Sequence, residues 1–441
     1  MSIRAYKFRL EPTSAQALGL DDVLSAHRWL YNECLDQRVQ AWREFQVSAS
    51  YYDQANWLWA ERRFNPRIGV LNYSSSQATL RRVQRSFENF FRRVKENQEG
   101  KARRKPGFPR FKGVDQFKSF EFPSVGDGVG LDGNRLRVQG IKGLVSIRKH
   151  RDEEGKTKTI RVKKEAGHWF AILSCELPDV PLVPNGRPAV GVDVGLCSFL
   201  VDSEGNKTGN PRFLQKSLKE LRRANRSLAR KKLASRKRQE AKLRLQRIQA
   251  RVADKRRDFL HKLANEVVGS HGLVAVERLN IQGMTRKRRK KEAKQEKGAQ
   301  KQRKSTRTKR RNIHDASWGM FREMLRYKAA SAGCEVIEVD PRGTSQDCSR
   351  CGTVVPKDET VRWHECPRCG LSLDRDHNAA RNILLRALDR TGPAAFISLS
   401  PTQGSGMRAV PPLAPPGSLE KPSPSGDGEG HVSFLKDMLE K

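Results

Sequence analysis

Residues 189–195 read AVGVDVG, an apolar run that ends in glycine and contains one acid, Asp193. A short run of this kind is typical of a strand that is buried on both faces of a sheet. An unpaired carboxylate is costly to bury. Asp193 is therefore either a core residue whose carboxylate has hydrogen-bond partners or a functional residue. A second apolar run, GLVAVERL at 272–279, contains Glu277. The two runs predict buried strands of an α/β domain.

A third group of acids lies in DRDHNAARNIL, residues 374–384, which reads as a loop that enters a helix. Each acid has an ordinary explanation, because Glu277 could pair with Arg278 and either Asp374 or Asp376 could cap the helix. Together the acids fit a different role. Carboxylates on adjacent strands can hold two Mg²⁺ ions about 3.5–4 Å apart for phosphodiester cleavage, and Mg²⁺ prefers oxygen ligands.

Two Cys-x-x-Cys pairs give the strongest local signal in the chain. Cys348 and Cys351 form the first pair, Cys366 and Cys369 form the second, and glycine follows each pair. Four thiolates at this spacing can converge on one Zn²⁺ ion. A closed site with four cysteine ligands leaves no position for water, so we expect a structural zinc ribbon and look for catalysis among the acids.

The charge balance points to a polyanionic partner. The chain has 441 residues, with 87 Lys and Arg against 49 Asp and Glu, which gives a formal net charge of +38. Such an excess is self-repelling unless it is neutralised, and contacts to phosphate backbones release condensed counterions. A solvated basic surface and a ribosome-bound protein are the alternatives to a specific nucleic-acid partner.

Cysteine usage and hydropathy suggest the compartment. No run reaches the roughly 20 apolar residues that a membrane span needs, and the N-terminus lacks the apolar segment of a signal peptide. The cysteines outside the two pairs are scattered, which favours a reducing cytoplasm over a disulfide scaffold. We therefore expect a cytoplasmic, nucleoid-associated prokaryotic protein without a membrane partner.

The N-terminal part of the chain alternates between strand and helix signals. Residues 2–10 alternate as a strand does, and Thr13 or Ser14 could cap a helix that runs to about Phe45. A second helix near 75–96 combines phenylalanines with arginines. Short strands separated by Gly-Asp and Asp-Gly turns follow from about 117 to 177, which predicts a small β-barrel or sandwich. Four prolines within 178–188 mark the best domain boundary.

The C-terminal part holds the buried strands and most of the basic residues. Two helices, about 212–232 and 236–268, predict a helical hairpin with one face on nucleic acid. Residues 285–311 hold 15 Lys or Arg and two Glu, and we expect a mobile basic arm that orders on phosphate. The Pro-, Gly- and Ser-rich tail, residues 389–441, is predicted to be disordered.

Basic residues with interleaved aromatics predict the nucleic-acid contacts, because aromatic rings stack on bases while Arg and Lys hold phosphates. The candidates are Arg81, Arg82, Arg85, Arg103, Arg104, Lys105, Phe108, Arg110, Lys112, Arg222, Arg223, Arg230 and Arg256.

The motif order resembles the TnpB family of transposon-encoded proteins, to which compact type V CRISPR effectors are similar. The order is GVDVG, VAVERL, the four-cysteine ribbon and DRDHNAARNIL, with PGFPRFK and TSQDCSRCG as further matches. The resemblance implies an RNase H-like (RuvC) nuclease fold, a guide RNA and cleavage of DNA beside a short flanking motif. It also implies that the Mg²⁺ ligands are Asp193, Glu277 and Asp376, with Asp374 as the competing choice.

The resulting architecture has four parts. A helical recognition lobe (13–97) is inserted into a β-barrel wedge domain (1–12 and 98–180). A RuvC-like α/β domain (186–388) carries the zinc ribbon (344–372), and the tail ends the chain.

The expected function is that of an RNA-guided DNA endonuclease that needs two Mg²⁺ ions and one structural Zn²⁺ ion. Its partners would be a guide RNA and single- and double-stranded target DNA, with monomer and homodimer both open. An RNA-guided repressor without cleavage is one alternative, although three intact acids argue against it. A guide-independent transposition factor or RNA-binding zinc-ribbon protein is the other.

Overall fold

The computed structural model describes residues 2–100, 105–178, 183–286, 297–358 and 360–391. These residues form two compact units, one up to residue 178 and one from residue 183 onward. The division lies in the proline-rich segment where the sequence predicts a boundary. None of the described helices is both long and apolar enough to span a bilayer.

The first unit combines long helices with short strands. Its elements are β1 Ser2–Glu11, α1 Ser14–Phe45, α2 Tyr51–Glu61, α3 Pro66–Gly69, α4 Tyr73–Gln98, β2 Ser119–Phe122, β3 Val129–Asp132, β4 Arg135–Val138, β5 Val145–Arg148, β6 Lys156–Glu165 and β7 His168–Leu177.

The strands of the first unit form one antiparallel sheet in the order β2-β6-β7-β1-β5-β4-β3. Strand β1 lies in the middle, with Leu10 opposite both Trp169 of β7 and Ile147 of β5. Because β1 precedes the four helices and its partners follow them, the helices form an insertion into the sheet. The sequence left a barrel and a sandwich open. The described strands form a single sheet, and no pairing between its end strands β2 and β3 occurs among them.

Helix α1 starts where the sequence places it because Thr13 forms a capping box with Gln16. The Thr13 side chain accepts from the Gln16 backbone N–H, and the Gln16 side chain accepts from the Thr13 N–H. These contacts satisfy two N–H groups that have no partner within the helix. The helix ends at Phe45, as predicted.

The second unit is an α/β domain. Its elements are β8 Ala189–Val194, β9 Ser198–Asp202, β10 Lys207–Gly209, α5 Phe213–Ala229, α6 Arg236–Ser270, β11 Leu273–Glu277, α7 Ile281–Thr285, α8 Lys297–Ala316, α9 Trp318–Ala332, β12 Glu335–Val339, β13 Trp363–Glu365, β14 Ser372–Asp374 and α10 Arg375–Thr391.

The main sheet of this unit has the order β10-β9-β8-β11-β12. Strands β8, β11 and β12 are parallel, whereas β9 and β10 are antiparallel to their neighbours. Val274 and Val276 of β11 pack in a core with α6 and α9, while Leu273 and Ala275 face α10. The sheet therefore has helices on both faces, which explains why its central strands read as continuous apolar runs.

Helix α10 lies directly against strand β8 at Gly191. A Cβ atom added there would lie 2.1 Å from the carbonyl oxygen of Ala380 and 2.7 Å from the backbone nitrogen of Leu384. Only glycine allows the two backbones to approach this closely. The contact fixes where the start of α10 lies relative to the end of β8.

The expectation of an unstructured basic arm is wrong for residues 297–311, which are helical in α8. The helix is anchored at its far end, because Ile313 and Ala316 are buried in the core. Tertiary packing of this kind stabilises helices that would be marginal alone. The rest of the predicted arm from 287 to 296, and the predicted tail from 392 onward, lie outside the described residues, while residues 389–391 belong to α10.

Candidate metal centres and nucleic-acid surface

Asp193 and Glu277 occupy equivalent positions on neighbouring strands. Val192 of β8 pairs in parallel register with Val276 of β11, and each acid is the next residue along its strand. Carboxyl ends of parallel strands meet at one edge of a sheet, which is the usual place for ligands in α/β folds. The sheet therefore brings these two acids side by side.

Helix α10 adds Asp376 to this pair from its first turn. Burial raises the pKa of Asp193 well above its usual value, and the negative charges of Glu277 and Asp376 raise this pKa further. The positive charge of Arg375 opposes these effects in part. Three acids from three separate sequence motifs thus influence one another at one end of the sheet.

Glu277 is oriented by Thr344, which lies in the loop after β12. The Thr344 hydroxyl donates a hydrogen bond to Glu277 Oε1 at 2.6 Å, and Thr344 itself is buried. Burial raises the pKa of Glu277, although the Thr344 hydrogen bond and the charge of Arg386 both act to lower it. Thr344 belongs to the TSQDCSRCG motif, and nothing in that local sequence predicts its contact with Glu277.

Asp374 and Asp376 have different surroundings. Asp374 Oδ1 accepts the backbone N–H groups of Asp376 at 2.9 Å and His377 at 3.3 Å, and Oδ2 accepts from Lys207 Nζ at 2.8 Å. Burial would raise the pKa of Asp374, but the Lys207 and backbone hydrogen bonds outweigh it, so that this pKa is lowered. Asp374 is thus the N-cap of α10 that the sequence allowed for.

The carboxylate of Asp376 lies between two arginines. Arg362 Nη1 is 3.4 Å from Oδ2, and Arg375 Nε is 3.4 Å from Oδ1. Arg362 comes from the segment between the two cysteine pairs and also lies 2.7 Å from the sulfur of Cys197. Both arginines bring positive charge to an otherwise acidic cluster, and no local sequence pattern predicts that Arg362 lies there.

The three acids are spaced more widely than the four cysteines. Within the described ranges, only the four cysteines form a group of metal-binding side chains whose ligand atoms all lie within 4.8 Å of one another. Carboxylate oxygens are the ligands that Mg²⁺ prefers, so the donor chemistry of the acids, rather than their spacing, makes them a candidate magnesium site.

The four cysteines converge as the sequence predicts. The sulfurs of Cys348 and Cys369 are 3.6 Å apart, and those of Cys351 and Cys366 are 3.5 Å apart. Four sulfurs about 2.3 Å from a tetrahedral Zn²⁺ ion would lie about 3.8 Å from one another. Hydrogen bonds from the side chain and the backbone of Thr353 lower the pKa of Cys351 to about 6. The pKa of Cys369 is raised to about 12: a backbone hydrogen bond from Leu371 acts to lower it, but burial and the neighbouring cysteine sulfurs outweigh this bond.

Two asparagines of α10 hold the cysteine ribbon against the acid cluster. Asn378 Oδ1 accepts the backbone N–H of Ser349 at 3.0 Å, and its amide donates to the carbonyl oxygen of Asp347 at 2.7 Å. Asn382 donates to the carbonyl oxygens of Thr344 at 2.8 Å and Asp347 at 2.7 Å. Both asparagines are buried, so the DRDHNAARN motif joins the cysteine ribbon to the helix that carries Asp376.

Most of the predicted nucleic-acid contacts lie on the surface. Exposed residues are Arg81, Arg85, Lys105, Arg110, Arg222, Arg223 and Arg230, whereas Lys112 is half-buried. Arg103 and Arg104 lie outside the described residues. The exposed residues remain candidates for phosphate contacts.

Two candidates of the first unit make contacts within the protein. Arg82 Nη1 donates to the carbonyl oxygen of Ser119 at 2.5 Å, its guanidinium lies 4.3 Å from the centroid of the Phe117 ring, and burial lowers its pKa. Phe108 packs edge to face on Phe90, with ring centroids 5.3 Å apart. Both residues are half-buried, and their binding to nucleic acid stays a prediction.

Arg256 also has a partner within the protein. Its guanidinium forms an ion pair of 2.6 Å with Asp315, whose side chain is only 8% exposed. Asp315 also accepts the backbone N–H of Leu214 at 3.0 Å, near the start of α5. Arg256 therefore neutralises a buried acid that links α5, α6 and α8, and its contact with nucleic acid stays a prediction.

The raised pKa of Asp193 predicts a pH-dependent stability. The pKa of this carboxyl is higher in the folded protein than its unfolded value of about 3.9. Its contribution to the free energy of unfolding is fully present below the unfolded pKa and is lost as the pH rises through the folded pKa. Asp193→Asn avoids this loss. The variant should therefore unfold about 3 °C higher than the wild type in EDTA at neutral pH, as measured by thermal circular dichroism.

Saturating Mg²⁺ should reverse this order, because a ligand that binds only the folded wild type stabilises it. A variant that is less stable than the wild type in EDTA would show instead that Asp193 is a satisfied core acid.

Comparisons with known proteins assign the family. Family models match residues 1–46 ("Helix-turn-helix domain" of OrfB, IS605), 172–288 ("Probable transposase", OrfB, IS605) and 318–383 ("Cas12f1-like, TNB domain"). A "Putative RNA-guided DNA endonuclease" of Streptomyces pristinaespiralis is 32% identical over 393 residues, which is 87% of this chain and 89% of the relative. The "Putative RNA-guided DNA endonuclease InsQ" of Escherichia coli (strain K12) is 28% identical over 87% of this chain and 92% of its own.

The chain therefore belongs to the TnpB family, as the motif order indicated. Solved structures with a likeness to this chain include the "mini-RNA-guided endonuclease CRISPR-Cas_phi3", with 10% identity, a TM-score of 0.40 and coverage of 88% of this chain and 92% of that one. A Cas12f1–sgRNA–target DNA complex shares 17% identity at a TM-score of 0.31, over 87% of this chain and 99% of that one.

Proposed function

We propose that this protein is an RNA-guided DNA endonuclease whose active site consists of Asp193, Glu277 and Asp376. The observation that carries the proposal is the meeting of these three acids at the end of one sheet, in a chain with a net charge of +38. Repulsion among the acids makes the site costly without cations. Two Mg²⁺ ions bound there would activate the attacking water and stabilise the leaving oxygen.

The surrounding residues prepare the acids for this role. Thr344 holds Glu277 in one orientation through its hydrogen bond, and the charge of Arg375 acts against the rise in the pKa of Asp193. Arg362 and Arg375 bring positive charge beside Asp376, where a phosphate group would enter. Asp374 caps α10, which supports Asp376 as the third ligand.

The partners in this proposal are a guide RNA and target DNA, double-stranded at a short flanking motif and single-stranded at the active site. Base pairing to the guide would read the sequence, while the protein holds backbones and the flanking motif. The exposed arginines of α4 and α5 can make such backbone contacts. The matched relatives are named as RNA-guided endonucleases, which agrees with this assignment.

The same proposal names the parts of the fold. The second unit would be an RNase H-like (RuvC) nuclease domain, and the four cysteines would hold one structural Zn²⁺ ion. In the first unit, the seven-stranded sheet would be the wedge domain and helices α1–α4 the recognition lobe.

RNA that co-purifies with the protein tests the function directly. We expect one enriched RNA, whose variable segment directs cutting of DNA that matches it and carries the flanking motif, in Mg²⁺ but not in EDTA. A heterogeneous RNA mixture and no metal-dependent cutting would instead indicate a guide-independent zinc-ribbon protein. Binding of matched DNA without cutting would indicate a repressor.

A further inference from the structure

We infer that a cleft beside the acid cluster, lined by Lys357 and Arg375, holds one phosphodiester of the DNA strand that is being cut. The inference rests on the proposed function and assigns a second binding position next to its active site. The cleft lies in the second unit, between the loop after β12 and the cysteine ribbon. Its lining residues are Pro341, Gly343, Ser345, Gln346, Lys357 and Arg375.

The size and chemistry of the cleft suit a phosphate group. Its volume of about 310 Å³ leaves room for a phosphate group together with water. Two cationic side chains, a hydroxyl and an amide line it, and no carboxylate is among its lining residues. Hydrogen bonds from charged donors to phosphate oxygens are among the stronger ones in proteins.

The cleft shares a wall with the acid cluster on two sides. In the loop after β12, Thr344 donates to Glu277, whereas its neighbours Gly343 and Ser345 line the cleft. On the other side, Arg375 lines the cleft and also lies 3.4 Å from Asp376. A strand whose phosphate lies in the cleft would therefore pass the three acids within a linkage or two, which favours the cut strand over the guide as the occupant.

Lys357 has no carboxylate partner among the described residues. No carboxylate within the described ranges forms an ion pair with its ammonium group, which instead contacts Nδ1 of His364. Burial and the charge of Arg375 lower the pKa of Lys357, since two cations share a partly enclosed space. An anion between them would relieve this repulsion.

A competing role for Lys357 is to neutralise the cysteine thiolates. The negative charges of Cys348 and Cys366 act to raise the pKa of Lys357, against the effects of burial and Arg375. The two roles differ in what they affect. A thiolate partner would change zinc content and stability, whereas a phosphate partner would change how one position of the DNA backbone behaves.

The test combines a protein variant with a neutral DNA linkage. In the guide-loaded complex, Lys357→Gln should slow single-turnover cutting about tenfold and make its salt dependence shallower by about 0.7, with zinc content unchanged. In the wild type, one methylphosphonate linkage near the cut should slow the reaction to a similar degree. That linkage should have no further effect in Lys357→Gln, while Lys357→Arg should retain the wild-type rate and salt slope.

The inference would be overturned if every neutral linkage slowed cutting in Lys357→Gln as much as it does in the wild type. A wild-type cutting rate in Lys357→Gln, or a loss of zinc from that variant, would also overturn it. A second readout does not need cutting. In Ca²⁺, Ser345→Cys should form a disulfide with DNA that carries a thiol tether at the same phosphate, and the wild type, with Cys197 exposed, should not.

The two readouts separate the two claims. Position-specific crosslinking without any cutting in Mg²⁺ would support the cleft but refute the proposed nuclease. Guide-directed cutting without position-specific crosslinking would refute the cleft and leave the nuclease standing.

Discussion

Replacing Asp193 with alanine is expected to slow DNA cutting by roughly three orders of magnitude or more, equivalent to about 4 kcal/mol of transition-state stabilisation. The charges of both other acids of the cluster act on this carboxylate, so its loss would disturb the proposed ion-binding site. Affinity for guide and target should change little, because binding depends on many phosphate contacts elsewhere. Single-turnover cutting and filter binding of matched DNA measure the two effects.

Asp374 and Asp376, which are two residues apart, offer a matched pair of variants to accompany this prediction. Asp376→Asn should be as inactive as the alanine variant, whereas Asp374→Asn should keep most of its activity. Asparagine is as good an N-cap as aspartate, and the ion pair that it loses with Lys207 is partly exposed and contributes little. The opposite ranking would make Asp374 the ligand, and full activity of Asp193→Ala would remove that residue from the mechanism.

Replacing Cys366 with serine is expected to abolish zinc binding and to destabilise the second unit by several kcal/mol, because metal-binding energy is part of the folding energy of such ribbons. The effect should extend to cutting. Asn378 and Asn382 connect the ribbon to α10, so a loosened ribbon would also release the helix that carries Asp376. Metal analysis, thermal unfolding and single-turnover cutting follow the three consequences.

Cys197→Ser is the control for this experiment, since Cys197 is exposed and outside the ribbon. It should keep the zinc content and unfolding temperature of the wild type. Normal zinc content and stability in Cys366→Ser would mean that the four cysteines do not form a structural metal site.

Local patterns in the sequence predict the elements that depend on local physics. The apolar runs around Asp193 and Glu277 are strands because helices cover both faces of their sheet, and α1 begins at Thr13 because the capping box is encoded within four residues. The spacing of the cysteines predicts that their sulfurs converge, since each Cys-x-x-Cys pair needs only a tight turn. Gly352 and Gly370 supply that turn with positive φ angles of 73° and 69°.

The contacts that the sequence does not reveal have a common physical cause, which is a partner that is distant in sequence. Arg256 reads as a surface arginine until Asp315, 59 residues later, is found against it. Phe108 reads as an exposed stacking ring, but Phe90 and Phe87 of α4 lie against it. The choice between Asp374 and Asp376 likewise required the backbone geometry at the start of α10, which the spacing of the two residues does not determine.

The close approach at Gly191 sets a limit on how the sequence of this protein can vary. An alanine there would force α10 away from β8, since its Cβ would meet the carbonyl oxygen of Ala380 at 2.1 Å, and Asp376 would move with the helix. A mutagenesis screen scored only by loss of cutting should therefore recover Gly191 together with the acids, although glycine has no side chain with which to bind an ion or a phosphate. Designers who transplant this active site into another scaffold would need to copy that bare strand position as well as the carboxylates.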